Sequence, residues 1–294
     1  MDTIMKTIAM VVILYGKRFE ESKTLQSLIK FSHQLDQLLI VNNGPESLDG
    51  HDPFFIALSK KHKHVEFENQ IQNKPLSWIY NDFINAIDAD YYVLFDDDTE
   101  INSSYEKFLF QMNNIDLELP KIMSIIDKKQ YYPKLNEQII SENGVIESRG
   151  ELFSIGSGLI ISNKIKNTFK KYNLELFDPK FALYGVDFSF FRRLNKLGRD
   201  GFLISTQTFL NHSLSGAEGV IAKWRKKERL YDEVLTVKHY SELRLLRIGK
   251  RILREILYLR FSNILIILNT FFSGVHPRCC NQINKTQNGE NHAN

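Results

Sequence analysis

The run Tyr91-Tyr92-Val93-Leu94-Phe95-Asp96-Asp97-Asp98 joins five β-forming residues to three consecutive carboxylates. A buried strand of this pattern delivers crowded negative charge at its C-terminal tip, the edge where open α/β sheets bind ligands. Like charges so close raise one another's pKa unless a cation neutralises them. Hard oxygen ligands suit Mg²⁺ or Mn²⁺, ions that often bridge to phosphates. The plainer reading is a solvated acidic turn in which an Asp caps the next helix. In a second stretch, Leu183-Tyr184-Gly185-Val186-Asp187-Phe188, Asp187 falls where a helix begins. Its carboxylate could simply cap that helix. Arg192 and Arg193, about a turn and a half later, could pair with a phosphate or face solvent. A third signal is Asn211-His212, between a strand and a basic helix, where a lone His is ordinarily structural.

The elements that must position these residues alternate along the chain. Thr7–Tyr15, Gln37–Val41, His64–Phe67 and Tyr91–Phe95 read as strands, and Glu20–Ser32 and Pro75–Ile87 as amphipathic helices. Strands separated by helices imply βαβ units and a mostly parallel sheet. The run Ile8–Leu14 after Lys6 is short and lacks a small-x-small cleavage pattern, so it reads as a buried first strand rather than a signal peptide. Asn42-Asn43-Gly44-Pro45 is turn chemistry at the second strand's tip. Further on, Lys121–Ile126, Leu152–Ser162 and Phe202–Ile204 read as strands, 127–150 as a polar and aromatic loop, and Asp187–Leu197 as a helix stopped by Gly198. Val220–Phe272 reads as helix and 278–294 as a disordered tail.

Composition narrows the class. With 294 residues, 43% hydrophobic and 25% charged, the chain has ample material for a large core, which excludes a disordered chain or a disulfide-built miniprotein. The two cysteines, Cys279 and Cys280, are adjacent and form neither a disulfide framework nor a spaced zinc pair. A net charge of +3 is too small to argue for nucleic acid, and none is expected as a partner. Its distribution says more. Residues 221–260 carry 12 Lys/Arg against 5 Asp/Glu, so the first 220 residues are net acidic. Leu245–Phe272 is rich in Leu and Ile but interrupted by Arg247, Lys250, Arg251, Arg254, Arg260 and Asn263. That basic amphipathic pattern suits an anionic membrane surface, with a helix packed on the body as the alternative. No stretch reaches the roughly 18 apolar residues of a membrane span.

Taken in order, these motifs resemble the family-2 glycosyltransferases of GT-A fold. Asp96–Asp98 is similar to the family's DXD motif, and Val11–Tyr15 to its opening strand. Val41-Asn42-Asn43-Gly44 is similar to its second-strand tip, with Asn42 where an Asp normally stands. Pro75–Asn81 resembles the segment preceding the DXD strand. The family opens a helix with an acidic pair, followed by Arg and Gly at fixed distances. Asp187, Arg193 and Gly198 fit that spacing, while Val186 replaces the first acid and Ser189 a common second Asp. The resemblance covers roughly residues 5–220.

What it implies is an α/β GT-A catalytic domain over 1–220, to which the charge pattern adds a basic helical extension over 221–277 and the polar end a tail over 278–294. It implies transfer of a sugar from a nucleotide-sugar to a hydroxyl of a saccharide or lipid-linked saccharide, with inversion. Asp187 would be the base, and Asp98 with Asp96 would hold the divalent metal, Mg²⁺ or Mn²⁺, against the diphosphate. His212 would complete the metal site or touch phosphate. Asn42, Asn81, Asp96, Asp97 and Arg193 would serve the donor, and Gly156-Ser157-Gly158 would admit the acceptor without a Cβ clash. Gly216 and Gly219 would let a loop close over the nucleotide. The setting implied is bacterial polysaccharide or lipopolysaccharide assembly, in the cytoplasm or on the inner face of the membrane. Two other classes compete. A strand ending in Asp-x-Asp also opens aspartyl-nucleophile phosphatases, but those expect Thr or Val where Glu100 stands. A non-catalytic transferase-fold protein would explain Asn42, Val186 and Ser189. A nucleotidyltransferase would need a Gly-rich triphosphate loop after the first strand.

Overall fold

The computed structural model describes residues 6–146, 150–213 and 222–280. Strands β1 (Ile8–Leu14), β2 (Gln37–Asn42), β3 (Val65–Asn69) and β4 (Tyr91–Asp96) are linked by α1 (Lys23–Leu28), α2 (Pro53–Lys61) and α3 (Leu76–Ala86). Next come α4 (Ser103–Gln111), β5 (Leu117–Glu118), β6 (Lys121–Ser124), β7 (Gln130–Tyr132), β8 (Lys134–Leu135), β9 (Gln138–Ile139) and β10 (Gly144–Val145). The chain continues through β11 (Leu152–Phe153), β12 (Ile160–Ser162), α5 (Asn163–Lys171), α6 (Val186–Leu197), β13 (Ile204–Thr206) and β14 (Phe209–His212). Helices α7 (Lys223–Tyr240), α8 (Arg244–Leu257) and α9 (Phe261–Ser273) follow. Side-chain caps mark several helix starts: Ser22, Asp52, Asn102 and Ser162 each accept a hydrogen bond from a first-turn amide.

The main sheet runs β10-β13-β5-β12-β4-β1-β2-β3. β1 pairs in parallel with β2 on one side and β4 on the other, so connections diverge at β1 and leave a switch point at its C-terminal end. Register brings Ile13 opposite Asp96 and Leu14 opposite Asn42. Both faces of β1 are covered. Ala9, Val11 and Ile13 enter one core, while Ile8, Met10, Val12 and Leu14 enter the other. β4 alternates likewise. Tyr92 and Leu94 face the core shared with α3 and α6, and Tyr91, Val93 and Phe95 face the opposite one. Asp96 continues the first series, so it emerges on the side of α3 and α6.

Several elements depart from the sequence reading. The expected strand Leu152–Ser162 is two short strands, β11 and β12, separated by Gly156-Ser157-Gly158. Gly158 has φ +84°, and a Cβ there would meet Leu210 Cδ1 at 2.2 Å, so the turn between the two strands requires glycine. The segment 127–150, expected as loop, contains short strands in two small sheets, β14-β6-β7 and β11-β8-β9, and the edge strand β10. The expected helix Glu20–Ser32 is a 3₁₀ turn, Phe19–Glu21, followed by the brief α1. Val220–Phe272 breaks after Tyr240 and after Leu257, where Leu259 takes φ +54°. Residues 278–280, assigned to the tail, are tied down: Cys279 is buried, and Arg278 bonds Asn73 and Glu228.

Candidate active site

The three consecutive aspartates go three ways, because β4 ends at Asp96 and the chain turns through Asp97 and Asp98. Asp97 turns toward β1. Its carboxylate accepts from the Tyr15 amide at 3.1 Å and pairs with Lys17. Asp96 turns toward α3 and accepts from the Tyr80 hydroxyl at 3.4 Å. Asp98 turns toward β14, and its Oδ1 lies 3.2 Å from His212 Nδ1. β14 is placed there by its parallel pairing with β6 and by a bridge between Glu100 and Asn211.

One ligand atom from each of Asp96, Asp98 and His212 lies within 4.8 Å of the others. Their surroundings are short of positive charge. Burial first, then the charges of Asp98, Asp187 and Asp97, push Asp96 well above the usual carboxylate range. Burial also raises Asp98, partly offset by His212, and lowers His212, partly offset by Asp98. His212 Nδ1 is bonded to Thr99 Oγ1 at 2.8 Å, and buried Asp98 Oδ1 has no hydrogen-bond donor. An unanswered buried oxygen beside a second carboxylate and an imidazole fits a divalent cation that accepts oxygen and nitrogen ligands.

Asp187 lies on the same side of the sheet. It is the second residue of α6, and its charge acts on both Asp96 and Tyr80. The helix is capped by Gly185 at φ +81° without a side-chain bond, so the capping alternative does not describe Asp187. Burial raises this carboxylate to about 6, with the Gly156 amide opposing the shift and Asp232 adding to it. Gly156 is close because it lacks a Cβ. One built there would meet Asp187 Oδ1 at 2.5 Å.

Other expected site residues have different occupations. Ser157 Oγ accepts from the Asp96 amide at 3.2 Å and bonds Thr99 Oγ1 at 2.8 Å, bracing the acidic tip. Gly158 is packed against Leu210 and Pro120, and its carbonyl accepts from Tyr105. Asn42 is buried and builds its own turn. Its Nδ2 donates to the Glu46 carbonyl at 2.6 Å and to Asn69 at 2.7 Å, and its Oδ1 accepts from Gly44. Asn81 pairs with both backbone groups of Phe177, at 2.8 and 3.0 Å, fixing α3 to the chain before α6. Arg193 does not stand free for a diphosphate. It pairs with Asp178 at 3.1 Å and donates to the Glu175 carbonyl. Gly216 and Gly219 lie outside the described residues. The sequence reading passed over Tyr80, Thr99, Lys17 and Asp232, whose approach to the site depends on contacts across the sheet.

No family model and no curated protein matches the chain. Among solved structures, S. aureus TarS 1–349 in complex with UDP-GlcNAc aligns at TM-score 0.54 and 14% identity, covering 93% of this chain and 82% of that one. The complex of TarS 1–349 with UDP aligns at 0.51 and 13%, covering 91% and 72%. The likeness is one of fold: a mixed α/β GT-A-like architecture with helices flanking a large sheet. No helix among the described residues is long and apolar enough to cross a membrane.

Proposed function

We propose that the chain is an inverting glycosyltransferase that moves a sugar from a nucleotide-sugar donor to a hydroxyl of a saccharide or lipid-linked saccharide. The observation that carries this reading is the placement of Asp187, a carboxylate with proton affinity raised to about 6, on the same sheet edge as Asp96, Asp98 and His212. The shared fold of a protein crystallised with UDP-GlcNAc supports a nucleotide-sugar as donor.

In a single displacement the acceptor oxygen bonds the anomeric carbon as the bond from that carbon to the phosphate oxygen breaks. The bonding electrons leave with the nucleoside diphosphate. Asp187 takes the acceptor's hydroxyl proton, a task suited to a base poised near neutral pH. Asp96, Asp98 and His212 would hold Mg²⁺ or Mn²⁺. When bound, that ion supplies charge neutralisation for the diphosphate. Ser157 and Thr99 brace Asp96 and His212, and Lys17 keeps Asp97 turned away. Asp97 then shapes the rim rather than ligating.

The test is a screen of nucleotide-sugars for Mn²⁺-dependent thermal stabilisation, followed by transfer assays with the donor that binds. Asp98→Ala is expected to abolish the metal-dependent part of that stabilisation. Unchanged donor affinity in Asp98→Ala with Mn²⁺ present would remove the metal role.

A further inference from the structure

Helix α7 faces two ways. Leu235 belongs to the main core, and the Asp232 carboxylate abuts Gly185, where a Cβ would meet Asp232 Oδ1 at 2.1 Å. Leu230 and Val234, on the other side, pack with Ile248 of α8 and Ile267 of α9. The α8–α9 hairpin is thereby fastened to the part of the body that carries Asp187.

α8 has more apolar surface than that contact covers. At 3.6 residues per turn, Ile248, Ile252 and Glu255 form the inward arc. The neighbouring arc carries Leu245, Leu246, Leu253, Ile256 and Leu257, which are 45–73% exposed. Leu259 in the turn is 75% exposed, and Phe261, Leu265 and Phe272 extend an exposed apolar stripe along α9. Large apolar patches of this kind mark an interaction surface on a folded protein.

The remaining arc of α8 is cationic. Arg244, Arg247, Lys250 and Arg254 are exposed and make no ion pair among the described residues. Arg251 is neutralised by Glu233 and Glu255. Glu255 is the one carboxylate between residues 244 and 260, and it is buried. A second copy seated on this face would bring two cationic arcs together. Anionic lipid headgroups answer them, while acyl chains cover the apolar arc.

We propose that the α8–α9 hairpin seats this protein on an anionic phospholipid bilayer. The apolar arc reaches the acyl boundary, the Arg and Lys side chains stay at headgroup level, and α7 holds the Asp187 side of the body near the surface. This seat does not depend on sugar chemistry, so its failure would leave the transferase reading intact.

The experiment is co-sedimentation of the full chain with phosphatidylcholine vesicles, with and without phosphatidylglycerol. Binding is expected to the anionic vesicles and to weaken as salt rises. The double variant Leu253→Ser/Leu257→Ser should bind at least ~10-fold more weakly with an unchanged thermal midpoint. Arg247→Gln/Arg254→Gln should lose the preference for phosphatidylglycerol. Absence of sedimentation with anionic vesicles would overturn the proposal, as would binding indifferent to both variants. A concentration-dependent dimer that the double Leu variant dissolves would also overturn it, since a second copy would then cover the face.

Discussion

Asp178 precedes α6 and is buried, Asp187 stands in its first turn and is half-buried, and the two have opposite electrostatics. Asp178 accepts from the Tyr240 hydroxyl at 2.7 Å and lies 3.1 Å from Arg193 and 3.5 Å from Lys180. Burial alone would raise it, but Arg193, Tyr240 and Lys180 outweigh burial and hold it below the usual range. Asp187 has no such company. Burial raises it to about 6, and the nearby Asp232 adds to the effect. A buried carboxylate answered by cations fastens one segment to another. One left unanswered is poised to exchange a proton.

The largest test of this contrast is Asp187→Asn. Transfer is expected to fall by about 10²–10⁴-fold, the usual contribution of a general base. Stability should not fall with it. The folded value near 6 lies above the value of about 3.9 for an unfolded aspartate, so the folded state holds a proton that the unfolded state releases. This group's contribution therefore favours the fold at low pH and is lost as pH rises from about 4 to about 6. The variant should lack that loss in a thermal-midpoint series, while wild-type kcat should rise with pH through the same upper limit. A variant that keeps full transfer would break the contrast at its functional end.

Arg193→Leu probes the other end. It leaves Asp178, 2% exposed, without its main cationic partner. Breaking one side of a buried pair costs about 3–5 kcal/mol, measurable by urea unfolding. Per folded molecule, donor-induced stabilisation should persist. Its loss without loss of stability would return Arg193 to a diphosphate role.

These two aspartates also show how far the sequence could be read. The spacing from Asp187 to Arg193 and Gly198 located α6, and the apolar run before Asp96 located β4, because both signals are local. The destination of Arg193 was hidden, since Asp178 and Glu175 lie in an irregular segment whose path depends on Asn81 holding Phe177. Lys17 and Tyr80 reach the acidic tip only through sheet order. The break between α7 and α8 had no Pro or Gly to announce it; it falls where α8 folds back to bury Ile248 against α7. Local chemistry was legible, and long-range compensation was not.

Gly156→Ala tests whether proximity tunes Asp187. The new Cβ would sit 2.5 Å from Oδ1, so the carboxylate or the turn must shift. Displacement of a catalytic group by a fraction of an ångström is expected to reduce transfer by roughly 10-fold, with a smaller effect on donor affinity. An unchanged kcat would mean that the close approach of residue 156 to Asp187 does not matter to the base.

Asn42→Asp is the probe that separates family pattern from local packing. An Asp is usual at this position in the family that the chain resembles, yet here the Asn42 amide nitrogen donates to the Glu46 carbonyl and to Asn69 Oδ1. A carboxylate cannot donate, and it would face both oxygens in a buried turn. The expected loss is about 1–3 kcal/mol, the cost of leaving buried partners unsatisfied, read from the urea midpoint. The same change in a turn arranged to receive a nucleobase would instead tighten donor binding without unfolding the loop. A stable variant with higher donor affinity would therefore show that Asn42 belongs with the unanswered groups of the site rather than with the fastened ones around Asp178.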